Sequence, residues 1–307
     1  MATALRFDGR VVVVTGAGTG LGRVYALEFA KRGAKVVVND LGVSRTGAGA
    51  NSLAADKVVE EIKAAGGQAV ADYNSAEEGA KVIQTAINSF GRVDVVVNNA
   101  GILRDVTLLK MTEQDWDLVY RVHVKGTYST TKAAWPYFRK QQYGRVVNTS
   151  SDAGLFGNFG QTNYSSAKMG IQGFTLAAAK EGIRANIKLN VISPSAASRM
   201  TQDVFTPEVS ALYGPDKVVQ LVVLLAHESV PVTGSIFETG GGMTTMLRWQ
   251  RSKGYLFMDP FQAEDLLQHW EEMANFEEGV DYPTDPFDTL GKYMNIREEA
   301  VSRRAKL

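Results

Sequence analysis

Residues 11–22 read Val-Val-Val-Val-Thr-Gly-Ala-Gly-Thr-Gly-Leu-Gly. A run of β-branched residues this dense suits a strand buried on both faces. The glycines that follow allow a tight turn, and Leu21 onward has helical length and spacing. A strand, a glycine turn and a helix in immediate succession leave few solutions, and the usual one is a parallel sheet reached by helical crossovers. Gly16, Gly20 and Gly22 also let the backbone approach a pyrophosphate, while the helix N-terminus offers unpaired N–H groups and positive dipole charge. Gly16, Gly20, Leu21 and Gly22 are therefore candidate nucleotide contacts. A glycine cluster alone fits an ordinary tight turn equally well; its place between a valine strand and a helix favours the nucleotide.

The same rhythm continues. Val36–Val38, Val93–Val97, Arg145–Val147, Ile187–Ile192 and Ser235–Phe237 read as further buried strands. Helix-length stretches lie between them at 21–31, 52–65, 77–89, 112–140, 164–180 and 215–227. This predicts an α/β chain with a doubly wound parallel sheet. The rhythm stops near Gly242, so residues 1–242 are expected to form the nucleotide-binding domain and 243–307 a helical C-terminal extension without a strong strand. In that extension Asp259-Pro260 reads as a helix start. Leu266, Leu267, Trp270, Met273 and Ala274 form one apolar face that needs cover, and Tyr282–Pro286 reads as irregular chain.

Composition excludes several functions. There are 33 Lys plus Arg and 33 Asp plus Glu, so no charge excess marks a nucleic-acid or anionic-membrane partner. The absence of cysteine rules out thiol catalysis, disulfides and thiolate metal sites. His123, His227 and His269 form no metal-ligand pair. The longest apolar run, Val218–Ala226, falls short of the roughly 18–20 residues of a membrane span. Met1–Gly9 has no signal-peptide core, so a soluble chain made in the cytosol is expected.

The polar residues at the strand ends carry the chemistry. Asp40 ends the second strand about 20 residues beyond the glycines, placed to accept from ribose hydroxyls and to repel a 2′-phosphate. NAD is thus expected over NADP; Arg23 and Arg45 could oppose this or be solvated surface charge. Asn98-Asn99-Ala100-Gly101 follows one strand and Ser150-Ser151 another. Tyr164 and Lys168, four apart, share a helix face. Each alone is unremarked surface polarity, but all fall at or beyond carboxyl ends of parallel strands, where ligands bind. Oxidising an alcohol needs a base, and a phenol titrating near ~10 needs a neighbouring cation to serve at neutral pH. Tyr164 is the expected base, Lys168 the cation, and Ser151 the group holding the substrate oxygen.

Thr15-Gly16-x3-Gly20-x-Gly22, Asn98-Asn99-Ala100-Gly101, Ser151 and Tyr164-x3-Lys168 together resemble the signature set of the short-chain dehydrogenase/reductase family. The resemblance implies a Rossmann-type sheet, catalysis by Ser151, Tyr164 and Lys168, cofactor contacts from Asn99, Ala100 and Gly101, and a family-type dimer. Where that family has an Asn before a Gly in its long helix, this chain has His123. It could bind a proton-relay water or be a satisfied helix histidine. Pro194-Ser195 also departs from the family's usual Pro-Gly.

Runs such as Val38-Asn39-Asp40-Leu41-Gly42, Asn99–Asp105, Gly157–Gln161 and Ser198–Gln202, with the insertion 42–51, resemble one branch over residues 5–250. That branch is the (3R)-hydroxyacyl-CoA dehydrogenase unit of the peroxisomal multifunctional enzymes of type 2. It keeps a His at the position of His123. The likeness implies an acyl-CoA substrate, adenine contacts from Asn74 and Ser75, and closure over the nicotinamide by Ala196, Ala197, Ser198 and Arg199. Ala305-Lys306-Leu307 resembles a peroxisomal address read by an import receptor, so a peroxisomal location is expected. Two other readings remain: a hydroxysteroid or other secondary-alcohol dehydrogenase, and a scaffold that binds NAD without catalysis.

Overall fold

The computed structural model describes residues 4–49, 53–197, 206–258 and 260–304. Ser198, Arg199 and Ala305-Lys306-Leu307 lie outside them. Elements alternate as the apolar runs predict. β1 (Val11–Thr15), α1 (Gly20–Lys31), β2 (Lys35–Asn39), α2 (Leu53–Ala64), β3 (Gln68–Asp72), α3 (Gly79–Phe90) and β4 (Val95–Asn98) form the first half. α4 (Glu113–Tyr120), a π-helical turn (Arg121–Lys125) and α5 (Gly126–Gln141) form one continuous helical stretch, and β5 (Gly144–Thr149) follows after a left-handed Gln142. α6 (Asp152–Phe156), α7 (Thr162–Gly182), β6 (Ile187–Ser195), α8 (Pro207–Leu212), α9 (Asp216–Ala226), β7 (Ile236–Gly240) and β8 (Met243–Leu247) complete the sheet unit.

The strands lie in the order β3-β2-β1-β4-β5-β6-β7-β8, and the pairings from β3 across to β7 are parallel. Strand parity explains why these runs are apolar throughout. Val12, Val14, Val36, Val38, Val95 and Val97 face one layer, packed with Tyr25, Phe29, Val58, Ile62 and Val222 of α1, α2 and α9. Val11, Val13, Val37, Val96 and Val146 face the other, against Val82, Ile83, Ala134 and Phe138 of α3 and α5. Fully burying each such side chain stabilises the fold by ~1.5–3 kcal/mol, and the polar side chains that are buried in the strands, such as Asn148, are hydrogen-bonded. A third, smaller cluster, Ile102, Val119 and Ala167 with Tyr164 at its margin, joins α4 and α7 beneath the carboxyl ends of β4 and β5.

Two strands escape the sequence reading. β3 is an edge strand, Gln-Ala-Val-Ala-Asp, whose alanines carry little strand preference. β8 is a strand within residues 243–307, where no strong strand is expected from the sequence. Gly241 (φ 59°) and Gly242 (φ 86°) form the two-residue turn with both φ positive that returns a strand on its neighbour. Most of β8 is exposed, so no apolar run announces it.

Contacts divide the chain into two compact units, one ending at Met246 and one beginning at Leu247. In the second, Arg251 and Asp281 exchange backbone hydrogen bonds and a two-pronged ion pair (Nε–Oδ1 2.9 Å, Nη2–Oδ2 2.8 Å). Its helices are α10 (Ala263–Gln268), α11 (Trp270–Met273) and α12 (Pro286–Arg304). α10 begins at a Gln262–Asp265 capping box, past the expected start at Pro260; Asp259 lies outside the described residues. Pro286, read as irregular chain, opens α12, where Pro is tolerated because the first-turn N–H has no intrahelical partner. Leu267 and Trp270 are exposed. Among the described residues no helix is long and apolar enough to cross a membrane.

Candidate active site

The sheet places β1 between β2 and β4, so the chain's direction of growth reverses at β1 and opens a crevice at the strands' carboxyl ends. Its nucleotide half is built around the glycine turn. An added side chain at Gly22 would lie 2.2 Å from the Gly16 carbonyl oxygen, and one at Gly16 2.8 Å from the Ala100 Cα. Both positions therefore need glycine for close backbone approach. Asn99 locks the turn to β4: its amide donates to the carbonyls of Thr15 (3.0 Å) and Gly16 (3.2 Å). The Thr15 hydroxyl accepts from the N–H groups of Asn99 and Ala100.

Asp40 stands where β2 ends. One carboxylate oxygen accepts from the Gly18 N–H and the other from the Gly42 N–H, each at 2.7 Å. Each oxygen keeps a lone pair for a ribose hydroxyl. Beside it is a group that the sequence reading missed. Asp72, 3% exposed at the end of β3, accepts from Asn39 Nδ2 (2.7 Å), Asn74 N (3.1 Å), Asn74 Nδ2 (2.8 Å) and the Thr85 hydroxyl (2.6 Å). Its backbone carbonyl accepts from the Asp40 N–H at 2.9 Å. Asp72 thus orients both Asp40 and Asn74; an acid at a strand end is the signal, hidden because β3 itself was not read. Ser75 caps a short helical turn by accepting from Glu77 N. Asp40, Asn74, Ser75, Leu21, Ala100 and Gly101 all line a cleft of about 400 Å³, within the size range of small-molecule sites.

The other half gathers Ser151, Tyr164, Lys168 and His123. Ser151 caps α6, and Tyr164 and Lys168 stand in the first turns of α7. Lys168, 3% exposed, donates to the Thr149 carbonyl at 2.8 Å, and its Nζ lies 5.4 Å from the centre of the Tyr164 ring. Ser150 accepts from Gln172 and donates to the Lys168 carbonyl, fixing that helical turn, and leaves Ser151 to face the phenol. Burial pushes Tyr164 up to about 12, with the Ser151 hydroxyl pulling the other way. Burial lowers Lys168 to about 7. In the protein alone the phenol is therefore not lowered, because desolvation dominates and Lys168 is itself pushed toward neutrality.

His123 sits in the π-helical turn that interrupts the single helix expected over 112–140. It is 1% exposed, and its ring meets Tyr164 edge-on at 5.3 Å. Nε2 faces both the N–H (3.0 Å) and the carbonyl (2.9 Å) of Ile102, while Nδ1 has no hydrogen-bond partner among the described residues. Burial, then the charge of Lys168, hold it well below the usual histidine range, so it is neutral. Both sequence readings find a counterpart: one nitrogen is satisfied, the other is a buried orphan.

Two more residues were missed. Asn163, wholly buried, accepts from the Tyr164 N–H (2.7 Å) and donates to the carbonyls of Arg104 (3.1 Å) and Asp115 (3.2 Å). Asp152 accepts from Ser193 and Ser195 on β6. Ala196 is buried just past β6, and Ala197 N donates to the Tyr213 carbonyl at 2.6 Å. Pro194 and Ser195 continue the strand, paired with Thr239 and Gly240, so the departure from Pro-Gly leaves the backbone extended there.

A doubly wound sheet with a glycine turn at its switch point and a Ser–Tyr–Lys cluster across the crevice defines a dinucleotide-dependent oxidoreductase. The short chain dehydrogenase family matches residues 10–208, and the chain belongs to that family. A peroxisomal hydratase-dehydrogenase-epimerase of Neurospora crassa is 57% identical over 293 residues, covering 94% of this chain and 33% of that protein. Full-length peroxisomal multifunctional enzyme type 2 of Drosophila melanogaster has a TM-score of 0.83 at 42% identity, over 96% of this chain and 50% of that one. This chain thus spans a third to a half of those relatives. A 7α-hydroxysteroid dehydrogenase solved with NADH and 7-oxo glycochenodeoxycholic acid has a TM-score of 0.69 at 28% identity, over 77% of this chain and 95% of that one. The cofactor is a nicotinamide dinucleotide.

Proposed function

We propose that this chain oxidises (3R)-3-hydroxyacyl-CoA to 3-ketoacyl-CoA with NAD, using Tyr164 as the base. The carrying observation is the clustering of Ser151, Tyr164 and the buried Lys168 at the carboxyl end of β5 and the start of α7. A bound nicotinamide dinucleotide supplies the hydride acceptor and, when oxidised, a positive charge. The chain's residues handle the proton. Tyr164, as phenolate, takes the substrate's hydroxyl proton; Ser151 donates to the substrate oxygen and holds it against the phenol. Lys168 Nζ keeps two donors beyond the one given to Thr149, available to the ribose. His123 Nδ1, buried and without a partner among the described residues, is the candidate acceptor for a proton-relay water.

NAD follows from Asp40, whose two oxygens are oriented by Gly18 and Gly42 and which would repel a 2′-phosphate. Gly16, Gly20, Leu21, Gly22, Asn99, Ala100 and Gly101 would cradle the pyrophosphate and nicotinamide ribose, Asn74 and Ser75 the adenine, and residues 196–199 the nicotinamide. The acyl-CoA substrate draws on relatives named for a joined hydratase and dehydrogenase. Their location supports the peroxisome as this chain's compartment.

Turnover of matched (3R)- and (3S)-3-hydroxyacyl-CoA esters, with steroid alcohols alongside, tests the reading. Selective 3R turnover that collapses in Tyr164→Phe supports it. Turnover of steroids alone would move the assignment to a hydroxysteroid dehydrogenase, for which the bile-acid-bound neighbour is the supporting observation. NAD binding without turnover of any alcohol would leave the scaffold. We further propose a homodimer, checked by light scattering, and residues 243–307 as an extension of the dehydrogenase. Receptor reading of Ala305-Lys306-Leu307 is checked by removing Leu307 from a reporter fusion, which should disperse a punctate signal.

A further inference from the structure

Between β2 and α2 the chain does not cross directly but makes a loop whose residues 41–47 fold along the dinucleotide cleft. Leu41, Val43, Ser44, Arg45 and Gly47 line that cleft beside Asp40. The loop has internal structure: Ser44 N donates to the Ala48 carbonyl (2.8 Å), Gly47 N to the Ser44 carbonyl (2.9 Å), and Ala48 N to the Ser44 hydroxyl (3.1 Å). It is also tied down from outside. Leu103 N donates to the Arg45 carbonyl at 3.0 Å, and Arg104 Nε to the Thr46 carbonyl at 2.8 Å.

Arg104 is the centre of this attachment. Its guanidinium spans two acceptors in different elements: Nε holds the loop, while Nη1 pairs with Asp115 Oδ1 at 3.1 Å. Asp115 is itself fixed, as the third residue of the Thr112 capping box at the start of α4. The Arg104 carbonyl is gripped from the other side by Asn163, the residue before Tyr164. One residue therefore connects the loop over the nucleotide, the first turn of α4 and the first turn of the catalytic helix. A planar guanidinium bridges two such acceptors at once, which an ammonium on a flexible stem does less well. Side-chain exposures of 26% for Arg104 and 18% for Asp115 place the pair where solvent screens it only in part.

We propose that Arg104 is a positioning residue that braces residues 41–47 over the bound dinucleotide and so sets how fast the cofactor leaves. The proposal rests on the reading of this cleft as the dinucleotide site. It assigns Arg104 no contact with substrate or cofactor; it acts through the loop.

The test measures NADH binding and release directly, by stopped-flow fluorescence on the full chain. Losing one charge-assisted brace predicts NADH release about tenfold faster in Arg104→Ala, with the loss falling on KM for NAD more than on kcat. Arg104→Lys, which can reach one acceptor but not both, should fall between the two and carries the test if the alanine variant does not fold. The decisive comparison uses a chain in which Ser44–Ala48, whose ends already bond to each other, is replaced by two glycines. There Arg104→Lys should have no further effect on NADH release. Unchanged release in both Arg104 variants, or an equal effect in the shortened-loop background, overturns the brace. A parent chain that fails to bind NADH overturns instead the cofactor reading beneath it.

Discussion

Replacing Lys168 with Met removes a buried amine at little change in volume, and the structure sets the size of the effect. With its phenol pushed up to about 12, Tyr164 in the protein alone is almost entirely protonated at neutral pH. Acting as a base near pH 7 requires a drop of about five units, or ~7 kcal/mol. Lys168 Nζ lies 5.4 Å from the ring centre. At an effective dielectric of about 20, the protonated form of Lys168 at that distance stabilises the phenolate by ~3 kcal/mol, or about two pH units, an upper bound because burial lowers Lys168 to about 7. The remainder must come from the charge of the bound cofactor, since the pull of the Ser151 hydroxyl is already contained in the value of about 12. Lys168→Met should therefore lower kcat/KM by up to about 100-fold at pH 7 and move the ascending, acidic limb of the pH–rate profile up by up to about two units, so that activity partly recovers at high pH. Steady-state profiles of the two proteins at saturating NAD provide the measurement. A profile with an unmoved midpoint, or a loss below about fivefold, would refute Lys168 as the cation that tunes Tyr164.

Asp40→Ala should raise KM for NAD roughly tenfold or more and narrow its advantage over NADP, measured as kcat/KM with each cofactor; a parent preference for NADP would contradict the argument from Asp40. Asp72→Asn should lower unfolding free energy by ~2–4 kcal/mol in urea titrations and weaken NAD binding, because a buried amide N–H would face the donors of Asn74 and Thr85. His123 is held well below its usual value of 6.5 when folded. In the window below 6.5 the unfolded chain therefore binds the extra proton and stability falls as pH falls, by up to about 1.4 kcal/mol per unit. His123→Asn should flatten that slope in thermal melts taken across pH 5–7.

How far the sequence reaches depends on whether a feature is local. Val11–Gly22 specified strand, turn and helix because β-branched runs and glycines act within a few residues, and the five other apolar or polar-ended runs that alternate with helices specified a doubly wound sheet. Ser151, Tyr164, Lys168 and Asp40 were legible because each stands at a strand end or at helical spacing. β3 was not legible, since an alanine-rich edge strand carries no apolar signature, and with it went Asp72.

Tertiary structure alone decided the rest. The Asp72 carboxylate, the π-helical turn that buries His123, and the bridge from Arg104 to the 41–47 loop, α4 and Asn163 all join residues far apart in sequence. Neither their partners nor their desolvation can be read from neighbours along the chain. The same holds for the pKa values: the sequence placed a cation four residues from a phenol, but packing decided that burial raises Tyr164 and lowers Lys168, because desolvation depends on everything that surrounds a group rather than on what precedes it.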